Sequence, residues 1–266
     1  LYYVIMKISD QIKSFWETHT CGTIGLLKER EDLVKYSKEY FEHLSEHRYK
    51  IEPWVHEYAL FTMLKEKDVL EIGCGAGTDA EQFCKAGSNY TGIDLTASGV
   101  EHTQKRLEIL KHKANIIKMS AHELDFEDNS FDFIFSWGVL HHSPYTKEII
   151  SEIYRVLRPG GKICILMYNT YSWMIFKMIL KWGLLRGELF TLGYNGMISK
   201  HTESADNQNP YTRTFTPRQC KRIFNVFRNV SIHTRIARAD RRHLPFISDF
   251  SFGGRIGWHN IIIGCR

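Results

Sequence analysis

Short apolar runs alternate with longer amphipathic runs through the middle of the chain. The apolar runs predict five strands, at Asp68–Ile72, Asn89–Asp94, Asn115–Met119, Phe131–Ser136 and Lys162–Tyr168. The amphipathic runs predict helices at Thr78–Lys85, Ala97–Leu110 and Thr146–Leu157. The segment Arg158-Pro159-Gly160-Gly161 is predicted to end the last of these helices and to lie outside the strand that follows. Apolar strands that alternate with helices are typical of an α/β fold, a parallel sheet with helices on both faces.

Two segments interrupt this alternation. Residues 9–60 are polar and aromatic and predict helices joined by a turn at Cys21-Gly22, whereas residues 170–215 contain the apolar stretch Trp173–Leu192. Alternation then resumes with a helix at 217–227, strands at 230–237 and 258–264, and a charged loop at 238–257. We therefore predict an N-terminal helical cap that binds substrate (1–60), a core (61–169 and 216–266) and a lid insertion (170–215).

The first predicted strand runs into three glycines at alternate positions, Gly73, Gly75 and Gly77. Such a turn lets the backbone approach a ligand where a Cβ would collide, and the following helix offers its free N–H groups. The second strand ends in Asp94, which in a βαβ unit lies beside the turn and can accept hydrogen bonds from a ribose diol. These features predict a site for a cofactor that contains adenosine.

Composition narrows the class of protein. The 266 residues are 43% apolar, which suffices for one large α/β domain, and the net charge of +5 comes without a basic block. Nucleic acid is therefore not an expected partner. The six cysteines form no Cys-x-x-Cys pair and no zinc spacing, so we expect reduced cysteines, a cytoplasmic protein and no metal. Lys7 and Asp10 interrupt the apolar start, which predicts no secretory signal.

Three segments carry a family resemblance: Val69–Thr78, Phe131–His142 and Glu152–Lys162. In this order and spacing they resemble the motifs of class I S-adenosylmethionine-dependent methyltransferases. The resemblance implies a Rossmann-like, seven-stranded sheet that is mostly parallel with an antiparallel last strand. It also implies S-adenosyl-L-methionine as the cofactor and S-adenosyl-L-homocysteine as its product.

The resemblance further implies a set of cofactor-binding residues: Glu71, Gly73, Gly75, Gly77, Asp94, Leu95, Ser120, Ala121, His122, Ser136 and Trp137. Glu71 would hold the methionine amino group, and Asp94 the ribose hydroxyls. Ser120 takes the place of an acidic residue that binds the adenine amino group in the family, and its bond would be weaker. His122 is included for its backbone, and Ser136 and Trp137 would line the methionine end.

His141 and His142 are the catalytic candidates, because they follow the fourth strand at the sheet edge where ligands bind. A general base is needed only when the nucleophile arrives protonated. His142 is preferred for this role and His141 is second. A purely structural role for either histidine remains equally open.

The acceptor is predicted from a more local resemblance. Residues 15–23, 39–41 and 48–53 resemble a set of bacterial methyltransferases found with natural-product pathways, some of which methylate carboxylates, including peptide C-termini. This implies O-methylation of a carboxylate of a small molecule or peptide, and cations that could hold it are Arg48, Lys200, His201 and Arg213. The predicted substrate-binding residues are Trp16, Arg48, Tyr145, Tyr168, Lys200 and Arg213.

Several alternatives stay open. A phenol or alcohol acceptor would need a base such as His142, and a lipid-like acceptor would be met at a membrane. Trp173–Leu192 is preferred as a lid, but it also fits a basic amphipathic helix on a membrane surface. Its charges exclude a stable membrane insertion. A methyltransferase-like module without activity and a dehydrogenase are the remaining classes, and the sequence does not predict the oligomeric state.

Overall fold

The computed structural model describes residues 2–21, 23, 30, 32–203, 208–236 and 256–266, with side chains from Met6 onward. Gly22 and most of the predicted loop at 238–257 lie outside the described residues.

One mixed sheet forms the centre of the molecule. Its strands are β1 (Asp68–Ile72), β2 (Asn89–Asp94), β3 (Asn115–Lys118), β4 (Phe131–Trp137), β5 (Leu157–Tyr168), β6 (Arg228–Arg235) and β7 (His259–Cys265). The strand order is β3-β2-β1-β4-β5-β7-β6. The first five strands pair in parallel, and β7 is antiparallel to both of its neighbours. The predicted seven-stranded Rossmann-like sheet with an antiparallel last strand is confirmed.

Helices cover the sheet and extend beyond it. They are α1 (Tyr2–Thr18), α2 (Lys38–Ile51), α3 (Val55–Ala59), α4 (Thr78–Lys85), α5 (Ala97–Ile109), α6 (Thr146–Val156), α7 (Trp173–Met178), α8 (Glu188–Thr191), α9 (Gly193–Thr202) and α10 (Pro217–Ile223). Short 3-10 turns lie at Phe61–Met63 and Leu140–His142, and a π-helical turn at Ile179–Leu184 follows α7. Among the described helices, none has the length and apolarity to cross a bilayer.

Side chains alternate between the two faces of each strand, as the period of a strand requires. Leu70 and Ile134 belong to a core that α6 and α10 cover, whereas Val69, Phe133 and Phe135 belong to a second core on the other face. The strands are therefore buried on both sides, which explains why they are apolar throughout.

The fifth strand is longer than predicted. β5 begins at Leu157, which pairs with Phe131, and the register shifts before Lys162 pairs with Phe133. The Pro-Gly-Gly segment is thus a bulge within the strand, with Gly160 at a φ of 80°, and not a turn that precedes it. The predicted boundary at Lys162 was wrong because a bulge lets residues that disfavour a regular ladder stay in a strand.

The insertion starts and ends at one place. Asn169 and Phe215 form a parallel bridge, and the Phe215 N–H donates to the Tyr168 carbonyl oxygen over 2.8 Å. Between these points, α7 and α9 pack on each other and on Tyr168 and Trp258. The insertion therefore stands on the carboxyl end of β5, where a parallel sheet binds ligands.

Candidate active site

The turn between β1 and α4 holds three glycines in the left-handed region. Gly73, Gly75 and Gly77 have φ values of 80°, 51° and 72°, which glycine adopts without a steric penalty. A Cβ on Gly73 would lie 2.3 Å from Val139 Cγ2, and one on Gly75 would lie 3.1 Å from the Cys21 carbonyl oxygen. The turn therefore needs glycine both for its backbone angles and for its close packing.

Asp94 at the end of β2 fastens this turn. Its Oδ2 accepts the Gly75 N–H over 3.0 Å, and its Oδ1 accepts the N–H and the hydroxyl of Thr96 over 2.9 and 2.7 Å. Burial raises the pKa of the Asp94 carboxyl, while these donors oppose that rise. Because Oδ2 accepts one bond among the described residues, it retains a lone pair for a ligand hydroxyl.

A cavity of about 790 Å³ opens beside Asp94. Its walls are mainly apolar and include Ile72, Ile93, Leu95, Met119, Ala121, Val139 and Ile149. The N-terminal helix α1 forms one wall through Trp16, and its Glu17 accepts the N–H groups of Ala97 and Ser98 at the start of α5. An acidic side chain at the positive end of α5 stabilises the docking of α1 over the cavity.

A second cavity adjoins the first, and the two share Trp16, Cys21, Gly73, Gly75 and Gly138. Its volume is about 1170 Å³, and its lining includes Arg48, Glu52, Glu71, Asp79, Trp137, Tyr168, Glu203 and His259. Because the glycine turn lies at the junction, one extended ligand can reach from the apolar cavity into the charged one.

Carboxylates outnumber cations in this second cavity. Arg48 is the only Lys or Arg among the described residues that line either cavity. It forms ion pairs with Glu52 and with Asp79, the latter over 2.9 Å. Glu52 also accepts the Trp137 indole N–H over 2.7 Å. The guanidinium is thus neutralised by protein groups on two sides.

Glu71, at the end of β1, is almost fully buried. Its Oε2 accepts the Tyr90 hydroxyl over 2.5 Å. Burial, followed by the charge of Asp79, raises the pKa of Glu71 well above its ordinary value. A cation that entered the second cavity would therefore stabilise the ionised form of Glu71.

His142 and Glu203 face each other with two acceptor atoms. His142 Nδ1 lies 3.1 Å from the Tyr211 carbonyl oxygen, which can only accept, and 3.0 Å from the Thr212 hydroxyl, which can donate or accept. In the tautomer that donates to the carbonyl, Nδ1 carries the proton of the neutral ring. Nε2 is then an acceptor, and it lies 3.5 Å from Glu203 Oε1. Neither atom has a hydrogen-bond partner among the described residues. Burial lowers the pKa of His142, although the charge of Glu203 opposes this.

His141 lies deeper. It is fully buried, lines neither cavity, and stacks within 3.8 Å of the Tyr168 ring centroid. This position favours a packing role over the catalytic role that the sequence also allows. His141, His142 and Glu203 each offer one ligand atom, and the three atoms lie within 4.8 Å of one another. They are the one group of this kind in the described part of the chain, so the donor set for a metal ion exists here although the sequence predicts no metal.

The remaining predicted cofactor residues occupy the adenosine end. Ser120 and Ala121 line the first cavity, and Ser120 Oγ lies 2.6 Å from His122 Nδ1. The His122 ring stacks on Tyr145 with 4.2 Å between centroids, and neither ring lines a cavity. Ser136 is fully buried and donates to a main-chain oxygen of β1 over 3.0 Å, so it supports the strand and does not face the methionine end.

The structure does not bring the predicted carboxylate-binding cations together. Lys200 Nζ and His201 Nε2 lie 2.9 and 2.6 Å from the oxygens of Glu188 on the far side of the insertion. Arg213 is exposed and its guanidinium lies over the Phe215 ring. Of the predicted substrate-binding residues, Trp16, Arg48 and Tyr168 line the cavities, whereas Lys200, Arg213 and Tyr145 do not. Because the insertion turns back on itself, the spacing of these residues along the sequence does not predict which of them lie close together in space.

Sequence reasoning missed several residues of the site: Glu52, Asp79, Thr96, Glu203 and His259. Thr96 could have been found, because it lies two residues after Asp94 and is the N-cap of α5. Asp79 follows the third glycine in the first turn of α4. Glu203 and His259 carry no local signal, since they reach the cavity only through the fold of the insertion and of β7.

Comparison with known proteins agrees with this arrangement. Residues 70–165 match a family model described as a methyltransferase domain. A sterol 24-C-methyltransferase of Gibberella zeae is 32% identical over 126 residues, which cover 45% of this chain and 32% of that protein. Phosphoethanolamine N-methyltransferase 2 of Caenorhabditis elegans is 38% identical over 105 residues, 38% of this chain and 24% of that protein. The chain thus spans a third or less of the length of these curated relatives.

Solved structures share the fold. A S-adenosylmethionine-dependent methyltransferase of Methanosarcina mazei aligns with a TM-score of 0.56 at 20% identity, over 81% of this chain and 98% of that one. A Haemonchus contortus phosphoethanolamine N-methyltransferase 2, in complex with phosphomonomethylethanolamine and S-adenosylhomocysteine, aligns with a TM-score of 0.57 at 20% identity, over 81% of this chain and 54% of that one.

The residues present fit a nucleoside cofactor. At Gly73 and Gly75 there is no room for a Cβ, so the backbone of the turn can approach a ligand closely. The Asp94 carboxylate retains an acceptor site, and the adjoining cavity is apolar. The sequence motifs, the sheet order and the glycine turn all agree with the family model. Residues 70–165 form a methyltransferase domain of the class I, S-adenosylmethionine-dependent type.

Proposed function

We propose that the whole protein transfers a methyl group from S-adenosylmethionine to a small molecule whose accepting atom carries a proton, in the first instance an amine. The observation that carries this proposal is the unpartnered acceptor pair formed by His142 Nε2 and Glu203 Oε1. Two buried acceptors 3.5 Å apart are unfavourable unless a donor lies between them. An N–H or O–H group of the acceptor molecule would supply that donor.

The chain's own residues divide the work of binding the cofactor. Asp94 would accept the ribose hydroxyls, and the apolar cavity would hold the adenine. Glu71, with Asp79 close by, would accept the methionine amino group, and Arg48 would face the methionine carboxylate. The bound cofactor supplies an electrophilic methyl group on a sulfonium. The protein then has to align the acceptor with that methyl and exclude water, for which Trp16 and Trp137 are suited.

The charges of the site favour an amine over a carboxylate acceptor. A substrate carboxylate would need a second cation, because Arg48 is the one Lys or Arg among the described lining residues, is paired with Glu52 and Asp79, and is already assigned to the methionine carboxylate. An amine arrives mostly as an ammonium ion, which Glu203 would attract, and His142 Nε2 would accept the proton that must leave before the nitrogen can react. One relative is a phosphoethanolamine N-methyltransferase, which agrees with an amine acceptor. O-methylation of a carboxylate, as in a natural product or peptide C-terminus, stays a prediction, because the cations that were expected to bind the carboxylate do not lie together in the structure.

A phenol or alcohol is the second candidate, because the same acceptor pair would bind an O–H. The negative charge of Glu203 separates the two, since it favours an ammonium but adds nothing for a neutral hydroxyl. Replacing Glu203 by the isosteric glutamine should therefore lower the turnover of amines more than that of phenols.

The test is a panel of small amines, phenols and carboxylates incubated with the protein and S-adenosylmethionine, with products identified by mass. We expect amines to be methylated, and Glu203→Gln to lower their kcat/KM by about tenfold or more. Glu188→Gln is the matched control, because it neutralises a carboxylate of the same insertion that does not line either cavity. Methylation of carboxylates but not amines would overturn the proposal. Failure to bind S-adenosylhomocysteine in a calorimetric titration would instead favour the alternative that the protein is a methyltransferase-like module without activity.

A further inference from the structure

The helical run of the insertion exposes six apolar side chains within seventeen residues, here called the outer patch: Phe176, Leu180, Leu184, Leu185, Phe190 and Leu192. Leu185 and Phe190 are 78% and 81% exposed. Scattered exposed apolar residues need no explanation, but a cluster of this kind marks a surface that meets another apolar phase.

The patch follows from the amphipathic pattern of one helical run. Ile175, Met178 and Gly183 face inward and are buried against Met197 and Ile198 of α9. Phe176, Leu180 and Leu184 recur every four residues and thus form a second apolar stripe on the outer side. A helix that rested only on its own protein would carry polar residues on this stripe.

Cations flank the patch. Lys181 and Arg186 lie over the Trp182 ring, with 4.5 and 4.3 Å to its centroid. The one carboxylate between Trp173 and Leu192, Glu188, is instead paired with Lys200 and His201. Among the described residues, Lys181 and Arg186 have no carboxylate partner, so the patch presents apolar side chains and positive charge together.

We infer that the outer patch docks the protein on an anionic lipid surface. An apolar stripe beside Lys and Arg is what an interfacial helix offers to a membrane, because its side chains enter the acyl boundary while its cations meet anionic headgroups. A second copy of this chain is the less suitable occupant, since two such patches would place like charges together. A membrane-crossing role is not needed, and none of the described helices would serve it.

Docking through the outer patch would connect the membrane surface to the candidate active site through the insertion. This holds for any molecule that accepts the methyl group. The helix that bears the patch packs through α9 on Tyr168, and the segment after α9 carries Glu203 into the second cavity. The inference stands whether the acceptor is an amine, a hydroxyl or a lipid headgroup.

The test is co-sedimentation with two kinds of vesicle, one of phosphatidylcholine alone and one of equal parts phosphatidylcholine and phosphatidylglycerol. We expect the protein to bind the anionic vesicles and to be released by high salt. Leu185→Glu/Phe190→Glu and, separately, Lys181→Glu/Arg186→Glu should each weaken binding by about tenfold or more. Met63→Glu, at an apolar residue equally exposed but outside the patch, is the matched control.

Titration with S-adenosylhomocysteine shows in each variant whether the fold is kept, and light scattering gives its oligomeric state. Three results would overturn the inference. They are no binding of the folded wild type to anionic vesicles, equal binding of the patch variants, and a dimer that the Leu185 and Phe190 substitutions dissociate.

Discussion

In the proposed reaction, His142 is the residue on which proton transfer depends most directly. Its Nδ1 lies against the Tyr211 carbonyl and the Thr212 hydroxyl, and burial lowers the pKa of the ring, so that an unprotonated Nε2 faces Glu203 Oε1 at neutral pH in the tautomer that donates to the carbonyl. Asparagine at this position keeps a donor near Nδ1 but removes Nε2. We therefore expect His142→Asn to lower kcat by about a hundredfold, the usual scale of a lost general base, while the Kd of S-adenosylhomocysteine changes little.

Two observations separate a base from a merely structural histidine. In the wild type, kcat/KM should fall only at a pH below the ordinary histidine range, because a lowered pKa keeps Nε2 unprotonated until then. In His142→Asn that limb of the pH profile should vanish. His233→Asn, at an exposed histidine of β6 that lines neither cavity, should leave both the rate and the profile unchanged. A variant with reduced activity but an unaltered acid limb would exclude the base.

At the scale of elements, the β1–α4 turn offers a matched pair of glycines. Gly73 and Gly160 have the same φ of 80°, but only Gly73 has a neighbour, Val139, in the path of a Cβ. Gly160→Ala should cost about 1 kcal/mol of unfolding free energy, and Gly73→Ala roughly 2–4 kcal/mol, because overpacking adds to the backbone term. Urea unfolding measures both.

The added substitution Val139→Ala separates the two causes. In Gly73→Ala/Val139→Ala the steric part should be relieved, so that the double variant is more stable than additivity predicts. Strict additivity of the two single losses would mean that the close contact with Val139 does not limit the turn.

The same elements show how far the sequence predicts the site. The glycine turn and Asp94 follow from local patterns, because a strand that enters a left-handed turn and a carboxylate at the next strand end leave clear signals. Glu203 leaves none: its approach to His142 requires the insertion to close where Asn169 meets Phe215, far from either residue in sequence. A contact that depends on two distant segments coming together cannot be predicted from the spacing of residues along the sequence.

The whole molecule buries an unusual set of histidines. Burial lowers the pKa of His102, His141, His142 and His259, which are therefore neutral in the folded state. Unfolding returns each to an ordinary pKa, so that below about pH 6.5 the unfolded chain binds more protons than the folded one. Stability from these groups is thus present at neutral pH and is lost as the pH falls. The raised pKa values of Glu71 and Asp94 act in the opposite sense, but they are two groups against four.

We therefore expect the unfolding free energy to decrease between pH 7 and about pH 5.5, by up to about 1.4 kcal/mol per pH unit for each histidine that titrates only on unfolding. Thermal unfolding over this range measures the slope. His259→Gln should make it shallower, since one of the four groups is removed, whereas His233→Gln, at an exposed histidine, should leave it unchanged. A melting temperature that is constant or rises towards acid would mean that Glu71 and Asp94 outweigh the histidines. The charged cavity, and not the buried imidazoles, would then control how the fold responds to pH.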